Sequence, residues 1–217
     1  MREGRRTGAS WRIALATTVV LGVTACHGVE ERVTPTPVPG RFTPADVDAI
    51  VLSPADAIAG TTYVDGVSGV QDLQAFARDD AELAHLRSDG FEVGHLALFF
   101  PSDHTNRGVP LTNDSVIVQG ITGLFHDAAG AERSFDRYVA DLRSRQLLDP
   151  RDVPSYGLGE HSIGLLGTSP DGAHVLIYVW RVDNLVLAVS GVGPVTQQRV
   201  RTLADLVTDR ASSIQPA

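Results

Sequence analysis

The chain has 217 residues, of which 43% are hydrophobic and 20% are charged, and its formal net charge is −8. This length fits one domain or two small ones, and the acidic charge opposes nonspecific binding to nucleic acid or to an anionic bilayer surface. With a single cysteine in the sequence, no disulfide can form within this chain, so its stability has to come from a hydrophobic core.

The N-terminal segment has three adjacent parts: a basic lead, an apolar run over residues 13–23 and small residues before Cys26. This arrangement is typical of a secretory signal peptide. The run is about a dozen residues long, whereas a helix needs about 20 to cross the hydrocarbon core. We therefore predict a signal peptide over residues 1–25. The general secretory route is favoured, and the pair Arg5 and Arg6 leaves twin-arginine export open.

The four residues Val23, Thr24, Ala25 and Cys26 resemble the lipobox of bacterial lipoproteins, in which an aliphatic residue and two small residues precede a cysteine. The resemblance implies cleavage before Cys26 and attachment of diacylglycerol to its thiol, with further acylation by fatty acids such as palmitate. It also implies a place on the extracytoplasmic side of the cell membrane. The remaining 192 residues would carry 14 basic and 25 acidic side chains. An ordinary unmodified thiol is the alternative for Cys26.

Residues 26–42 are polar and rich in threonine and proline, which favours an extended polyproline II conformation. We predict a tether here, with a packed surface loop as the alternative, and one globular domain over residues 43–217. Thr43, Pro44 and Asp46 provide an N-cap, a proline at the first helical position and an acid in the first turn. They predict a short helix, followed by a turn at residues 53–56 and a strand at residues 61–64.

Hydrophobic periodicity predicts the remaining elements. The helices are expected at residues 70–88, from Asp127 to about Leu147, and from Pro194 to about Arg210. Strands are expected at residues 91–100, 114–125 and 163–168, with residues 101–110 and 150–159 as loops. Residues 175–182 and 185–190 flank Asp183 and Asn184, which predicts a tight hairpin.

This order of elements predicts an α+β fold with an antiparallel sheet of about five to six strands and helices packed on it. The order is also similar to that of the PsbP-like sandwich proteins, a fold that some bacterial envelope lipoproteins share. The resemblance implies a layered sheet carrying helices and implies no particular activity.

Three histidines have an acidic neighbour, in the pairs Asp103 and His104, His126 and Asp127, and Glu160 and His161. Neighbouring residues on a strand point to opposite faces, and the histidine spacings are not those of a zinc site, so we expect no metal. Residues 190–194 join a strand to a helix, where a turn is favoured over an anion site because the phosphate-loop lysine and third glycine are missing. Tyr178 and Trp180 are expected to fill the core.

The leading functional hypothesis is a non-catalytic binding or accessory module at the cell envelope, without a cofactor, whose ligand is a protein or a small molecule. One alternative is a carrier of a lipid or another apolar molecule, because residues 91–100 are apolar on both strand faces. The other alternative is an envelope hydrolase that uses Asp103, His104 and His161.

Replacement of Cys26 by alanine should abolish fatty-acid attachment and release the protein from the membrane in folded form. Each buried methylene contributes about 0.8 kcal/mol, so two or more long acyl chains make anchoring stable. Labelling of cells with radioactive palmitate measures the attachment. Label retained by Cys26→Ala would contradict the lipobox interpretation.

Overall fold

The computed structural model describes residues 40–214, which form an α+β fold around one antiparallel sheet, as the sequence predicts. Cys26 and the other lipobox residues lie outside the described residues. The sheet has eight strands, more than the five to six predicted. The strands are Thr61–Tyr63 (β1), Gly69–Gln71 (β2), Phe91–Pro101 (β3), Ile117–Phe125 (β4), Leu148–Val153 (β5), His161–Thr168 (β6), His174–Val182 (β7) and Leu185–Val192 (β8).

The strand order is β1-β3-β4-β8-β7-β6-β5, and β2 also pairs with β3. The strands β1 and β2 lie one after the other along the same edge of β3, with Thr61 opposite Pro101 and Gly69 opposite Leu96. The long strands β4 and β8 therefore lie at the centre of the sheet, and their side chains reach the helices on both faces.

Two groups of helices cover the two faces of the sheet. The helices are Pro44–Ile50 (α1), Leu73–Phe76 (α2), Asp80–Ser88 (α3), Ser102–Arg107 (α4), Ala128–Asp141 (α5) and Gln197–Ser213 (α6). One face packs against α1 and α6, and its core includes the fully buried Tyr178 and Trp180, as predicted. The other face packs against α2, α3 and α5. None of these helices, within residues 40–214, has the length and apolar character needed to cross a bilayer.

The helix predicted for residues 70–88 is two helices preceded by a strand. The Asp72 carboxylate accepts a hydrogen bond from the Ala75 amide, and the Asp79 carboxylate accepts one from the Glu82 amide. Each aspartate therefore begins a helix of its own, and Ala77 between them has an extended backbone. The start of the predicted helix is strand β2, at the edge of the sheet.

Two predicted loops also contain regular structure. Helix α4 lies within the loop expected after β3, and β5 occupies part of the loop expected at residues 150–159. Strand β5 is at the end of the sheet, where Pro150 removes no bond from an interior ladder, and its pairing with β6 shifts register between Leu148 and Arg151. The final helix begins at Gln197, after its Thr196 cap, instead of at Pro194.

From Gly40, the first described residue, the chain packs against the domain, so residues 40–42, predicted as the end of the tether, belong to the packed structure. The buried Asn184 side chain accepts a hydrogen bond from the Phe42 amide at 2.9 Å and donates to the carbonyls of Phe42 and Phe125 at 2.9 and 2.7 Å. Asn184 belongs to the predicted hairpin turn, in which Asp183 has a φ of 51°. A side chain at Gly40 would meet Asn184 at 2.1 Å, so glycine is required for this approach.

The end of α3 lies directly against the beginning of α5. A Cβ atom at Gly130, in the first turn of α5, would lie 2.0 Å from the backbone oxygen of Asp89. The Gly130 amide also donates to the Asp127 carboxylate at 2.7 Å, which caps the helix. The close approach of the two backbones therefore depends on the missing side chain at Gly130.

We expect Gly130→Ala to lower the free energy of unfolding by about 1–3 kcal/mol, because the new methyl group forces the two helix ends apart. Within a helix alanine is favoured over glycine by about 1 kcal/mol, so without the close backbone contact this substitution would stabilise the protein. A loss of stability is therefore the informative result. Urea denaturation measures the change. Gly66→Ala is the control because no atom lies within 4 Å of its Cβ position. Equal unfolding midpoints for the two variants would contradict the close packing.

Candidate ligand-binding groove

A groove with a volume of about 780 Å³ lies between the sheet and the helices α3 and α5. Pockets that bind small molecules have volumes of about 300–1,000 Å³ and a mostly apolar lining with a few polar groups. The groove is built on the face of the sheet that packs against α2, α3 and α5.

The floor of the groove is apolar because alternate residues of three neighbouring strands face it. Leu96 of β3 lies opposite Ile121 of β4, and Ile121 lies opposite Ala188 of β8. Val186 and Gly123 form the adjacent pair. All five residues line the groove. Gly123 and Ala188, two of the five, leave the depth that larger side chains would fill.

One side of the floor is closed by the ring of Phe76 from α2. A Cβ atom at Gly94 would lie 2.2 Å from this ring, so the ring occupies the space above a residue without a side chain. The ring of Phe76 lies 4.8 Å from that of Phe91, which in turn meets Phe125 edge to face at 5.7 Å. This aromatic cluster is rigid and apolar.

The helices α3 and α5 form the two walls, and they run in opposite directions. Arg78, just before α3, contacts Asp141 at the end of α5, whereas Asp89, just after α3, contacts Arg133 and Arg137, which precede Asp141 on α5 by two turns and one turn. Ion pairs therefore connect the two walls at both ends of the groove. We call these the Asp141 end and the Asp89 end.

At the Asp141 end, one carboxylate accepts several charge-assisted hydrogen bonds. The Arg78 guanidinium donates to Asp141 at 2.7 Å and to Glu82 at 2.8 and 2.9 Å. A π turn at Leu142–Gln146 brings Gln146 and Arg145 back to the same carboxylate. Burial alone would raise the pKa of Asp141, but the hydrogen bonds from Gln146 and the arginines have the larger combined effect. The pKa of Asp141 is therefore below its ordinary value. Asp141 is therefore ionised at neutral pH.

At the Asp89 end, two arginines share one carboxylate. The Asp89 side chain is only 1% exposed; the Nε atom of Arg133 lies 2.9 Å from Oδ1, and Arg137 contacts Oδ2. Burial lowers the pKa of Arg137. A buried carboxylate with two guanidinium partners leaves an excess of one positive charge, and only Arg137 of the two arginines lines the groove.

Tyr138 lies between the two ends on the wall formed by α5. The Arg78 guanidinium lies over its ring, and the Arg78 Cζ atom is 6.0 Å from the ring centroid. Burial raises the pKa of the Tyr138 hydroxyl to about 12, so the hydroxyl is a neutral hydrogen-bond donor at neutral pH. Ser134 and Gln119 supply further neutral polar groups to the lining. The groove therefore combines an apolar floor with a few hydrogen-bonding groups on its walls.

The histidine and acid pairs proposed from sequence lie outside this groove and apart from one another. His104 contacts the Val109 carbonyl, His126 contacts Glu92, and His161 packs against Phe135. Strands β3 and β6 are four strand spacings apart, which is about 19 Å across the sheet. His104, which follows β3, and His161, in β6, therefore do not share a site. No cluster of three or more potential metal-ligating side chains was found among the described residues.

The segment between β8 and α6 is the turn that the sequence predicts. The Gly193 amide donates to the His174 carbonyl at 2.8 Å, and a Cβ atom at Gly193 would lie 2.3 Å from the Ser115 carbonyl oxygen. The Gly193 amide therefore already donates its hydrogen bond to a protein carbonyl, and it is not available to an anion.

Sequence reasoning missed the groove residues Arg78, Arg137, Tyr138 and Asp141. The available signal was a polar stripe on α5, where Ser134, Arg137 and Asp141 recur at helical spacing. A stripe of this kind is the usual pattern of a solvent-facing helix side, so the sequence did not distinguish it from an ordinary surface.

The ion pair between Arg78 and Asp141 should show measurable coupling in a double-mutant cycle of Arg78→Ala and Asp141→Ala. We expect about 1 kcal/mol, because the Asp141 side chain is 9% exposed but that of Arg78 is 46% exposed and screened by solvent. The control cycle is Arg143 with Asp152, whose side chains are 39% and 68% exposed and should couple more weakly. Urea denaturation measures both cycles, and equal coupling would contradict a stabilising role at the groove end.

No protein-family model matches the chain, and no curated protein sequence matches it. The fold is similar to that of a solved structure, the extracellular domain of PknH from Mycobacterium tuberculosis. The TM-score is 0.54 at 12% sequence identity, and the match covers 82% of this chain and 100% of the PknH domain chain. At this identity the similarity establishes a shared fold and leaves the function of the groove to be argued from its own residues.

Proposed function

We propose that this protein is an exported, lipid-anchored component of the bacterial cell envelope, and that its domain binds a small ligand in the groove between the sheet, α3 and α5. The observation that carries the proposal is the groove itself, with about 780 Å³ of space above an apolar floor. Export and anchoring are supported by the signal-peptide pattern and by the resemblance of Val23, Thr24, Ala25 and Cys26 to a lipobox. The similar fold of an extracellular domain is consistent with export.

The state of the ionisable groups in the groove supports binding without catalysis. Glu82 and Asp141 are both engaged by arginines, and Asp79 accepts the hydrogen bond that caps α3. A raised pKa keeps the Tyr138 hydroxyl neutral. A general base or a nucleophile needs an unengaged group with a suitable pKa within reach of the substrate. The carboxylates of the groove are instead used to hold its walls in place.

Carriage of an apolar molecule is the second candidate, and the floor formed by Leu96, Ile121 and Ala188 favours it. These side chains come from three adjacent strands and form a continuous apolar surface. The sequence indicates the same function because residues 91–100 are apolar on both strand faces. In the structure, Leu96 faces the groove, whereas Ala97 and Phe99 of the same strand are buried in the core on the other face of the sheet.

The chain that leads to the proposed anchor joins the domain on the side of the Asp89 end of the groove. The Gly40 amide donates to the His126 carbonyl, and the His126 amide donates to the carbonyl of Gly90, next to Asp89. The 14 residues from Cys26 to Gly40 span at most about 50 Å when fully extended. The entry point of the chain and the Asp89 end therefore lie on the same side of the domain.

Native mass spectrometry of the protein purified from its own host tests the ligand site. We expect a retained small molecule in the wild type and in Ser212→Phe, and its loss in Ser134→Phe. Ser134 lines the groove, whereas Ser212 is exposed on α6 on the other side of the sheet, so the two variants add the same ring at different places. Circular dichroism checks that both variants are folded. A ligand-free mass for the wild type, or equal retention by both variants, would count against the groove as the binding site.

A further inference from the structure

We propose that the groove selects a single-chain amphiphile with an anionic head group, with the head group bound by Arg137 and the alkyl chain lying along the apolar floor. This inference rests on the proposed function of the groove and adds the chemical class of its ligand. It is carried by the unequal charge at the two ends of the groove and by the shape of the floor between them.

The first step is the distribution of charge. At the Asp141 end, the arginines Arg78 and Arg145 face the carboxylates Glu82 and Asp141, and Asp79 also lines the groove, so among the described residues this end has no positive charge in excess. At the Asp89 end, Arg133 and Arg137 face one carboxylate, which leaves one positive charge in excess. An anionic group is therefore better accommodated at the Asp89 end.

The second step is the environment of Arg137. Its Nη2 atom contacts the buried Asp89 carboxylate, and the Arg137 side chain is 36% exposed. A guanidinium has five N–H donors in a fixed fork, so within the described part of the chain the ion pair with Asp89 leaves other donors of Arg137 unengaged. Burial lowers the pKa of Arg137. A carboxylate or phosphate bound in the groove would accept hydrogen bonds from these remaining donors.

The third step is the presence of neutral donors near the same end. Ser134 is one helical turn before Arg137 on α5, whereas Tyr138 lies between the two ends; both line the groove. The Tyr138 hydroxyl keeps its proton because its pKa is raised to about 12. Hydrogen bonds from neutral donors to an anionic oxygen are stronger than those between neutral groups.

The fourth step is the shape of the apolar floor. Along β4 the lining extends from Gln119 to Phe125, which corresponds to about 20 Å of strand. Its width is set by Leu96 on one side and Ala188 on the other, with the Phe76 ring closing the floor near Gly94. A long and narrow apolar surface with one charged end matches one alkyl chain with a head group.

The test compares two substitutions that remove equivalent partners of Asp89. Arg137→Gln and Arg133→Gln each leave Asp89 with one arginine, but only Arg137 lines the groove. The protein begins at position 26 and carries Cys26→Ala, so that detergent is not needed, and it contains all of the described residues 40–214. The probes are myristate and myristyl alcohol, which differ only in the head group, and isothermal titration calorimetry measures their affinities.

We expect wild-type protein to bind myristate at least tenfold more tightly than the alcohol. Arg137→Gln should weaken myristate binding by about tenfold to a hundredfold and change alcohol binding by less than about threefold. Arg133→Gln should change both affinities by less than about threefold. The unfolding midpoints of the two variants report any common structural effect of losing one partner of Asp89.

Equal loss of myristate affinity in both variants, or equal affinity of the wild type for acid and alcohol, would overturn the assignment of Arg137 to the head group. If the wild type binds neither probe but retains a groove ligand in native mass spectrometry, this inference fails and the proposed function stands. If neither probe binds and no ligand is retained, both fail.

Discussion

The arrangement of the groove depends on the ion pairs that the buried Asp89 carboxylate makes with two arginines of α5. Removing a carboxylate from water costs several kcal/mol, which only close ionic and hydrogen-bonding partners offset. Arg133 and Arg137 supply these partners, and both come from α5, so the charge ties the end of α3 to that helix. Gly130 allows the backbones to meet at the same place. With Arg78 and Asp141 connecting the opposite ends, the walls are fixed at two points and the apolar floor between them stays accessible.

The sequence predicted those parts of the fold whose signals are local. The capping residues of α1 and α5, the apolar run of β7 and the turn at Asp183 and Asn184 are all encoded within a few neighbouring positions. The boundary at Ala77 was missed because apolar residues continue at helical spacing across it, while two aspartate caps decide where each helix begins. Strand β5 was missed because Pro150 argues against a strand, and only its position at the end of the sheet makes proline acceptable.

The groove was beyond prediction for a different reason. The significance of Arg137 depends on Asp89, which is 48 positions earlier in the chain, and on an apolar floor contributed by three strands. No spacing in the sequence marks a relation of this kind. The similar fold of the PknH extracellular domain does not supply the missing information, since a fold shared at 12% identity hosts different sites in different proteins. The chemistry of the site has to be argued from its own residues.

The attachment of the chain at Asn184 has a mechanical consequence. Gly40 is bonded to the His126 carbonyl after β4, while Arg41 and Phe42 are bonded to the side chains of the hairpin between β7 and β8, two strands in the interior of the sheet. A pulling force on the chain before Gly40 therefore acts first on these hydrogen bonds, which hold the chain against the interior of the sheet. The same force applied to the short edge strand β1 would separate its few bonds one at a time. A domain held in this way resists being unravelled from its point of attachment.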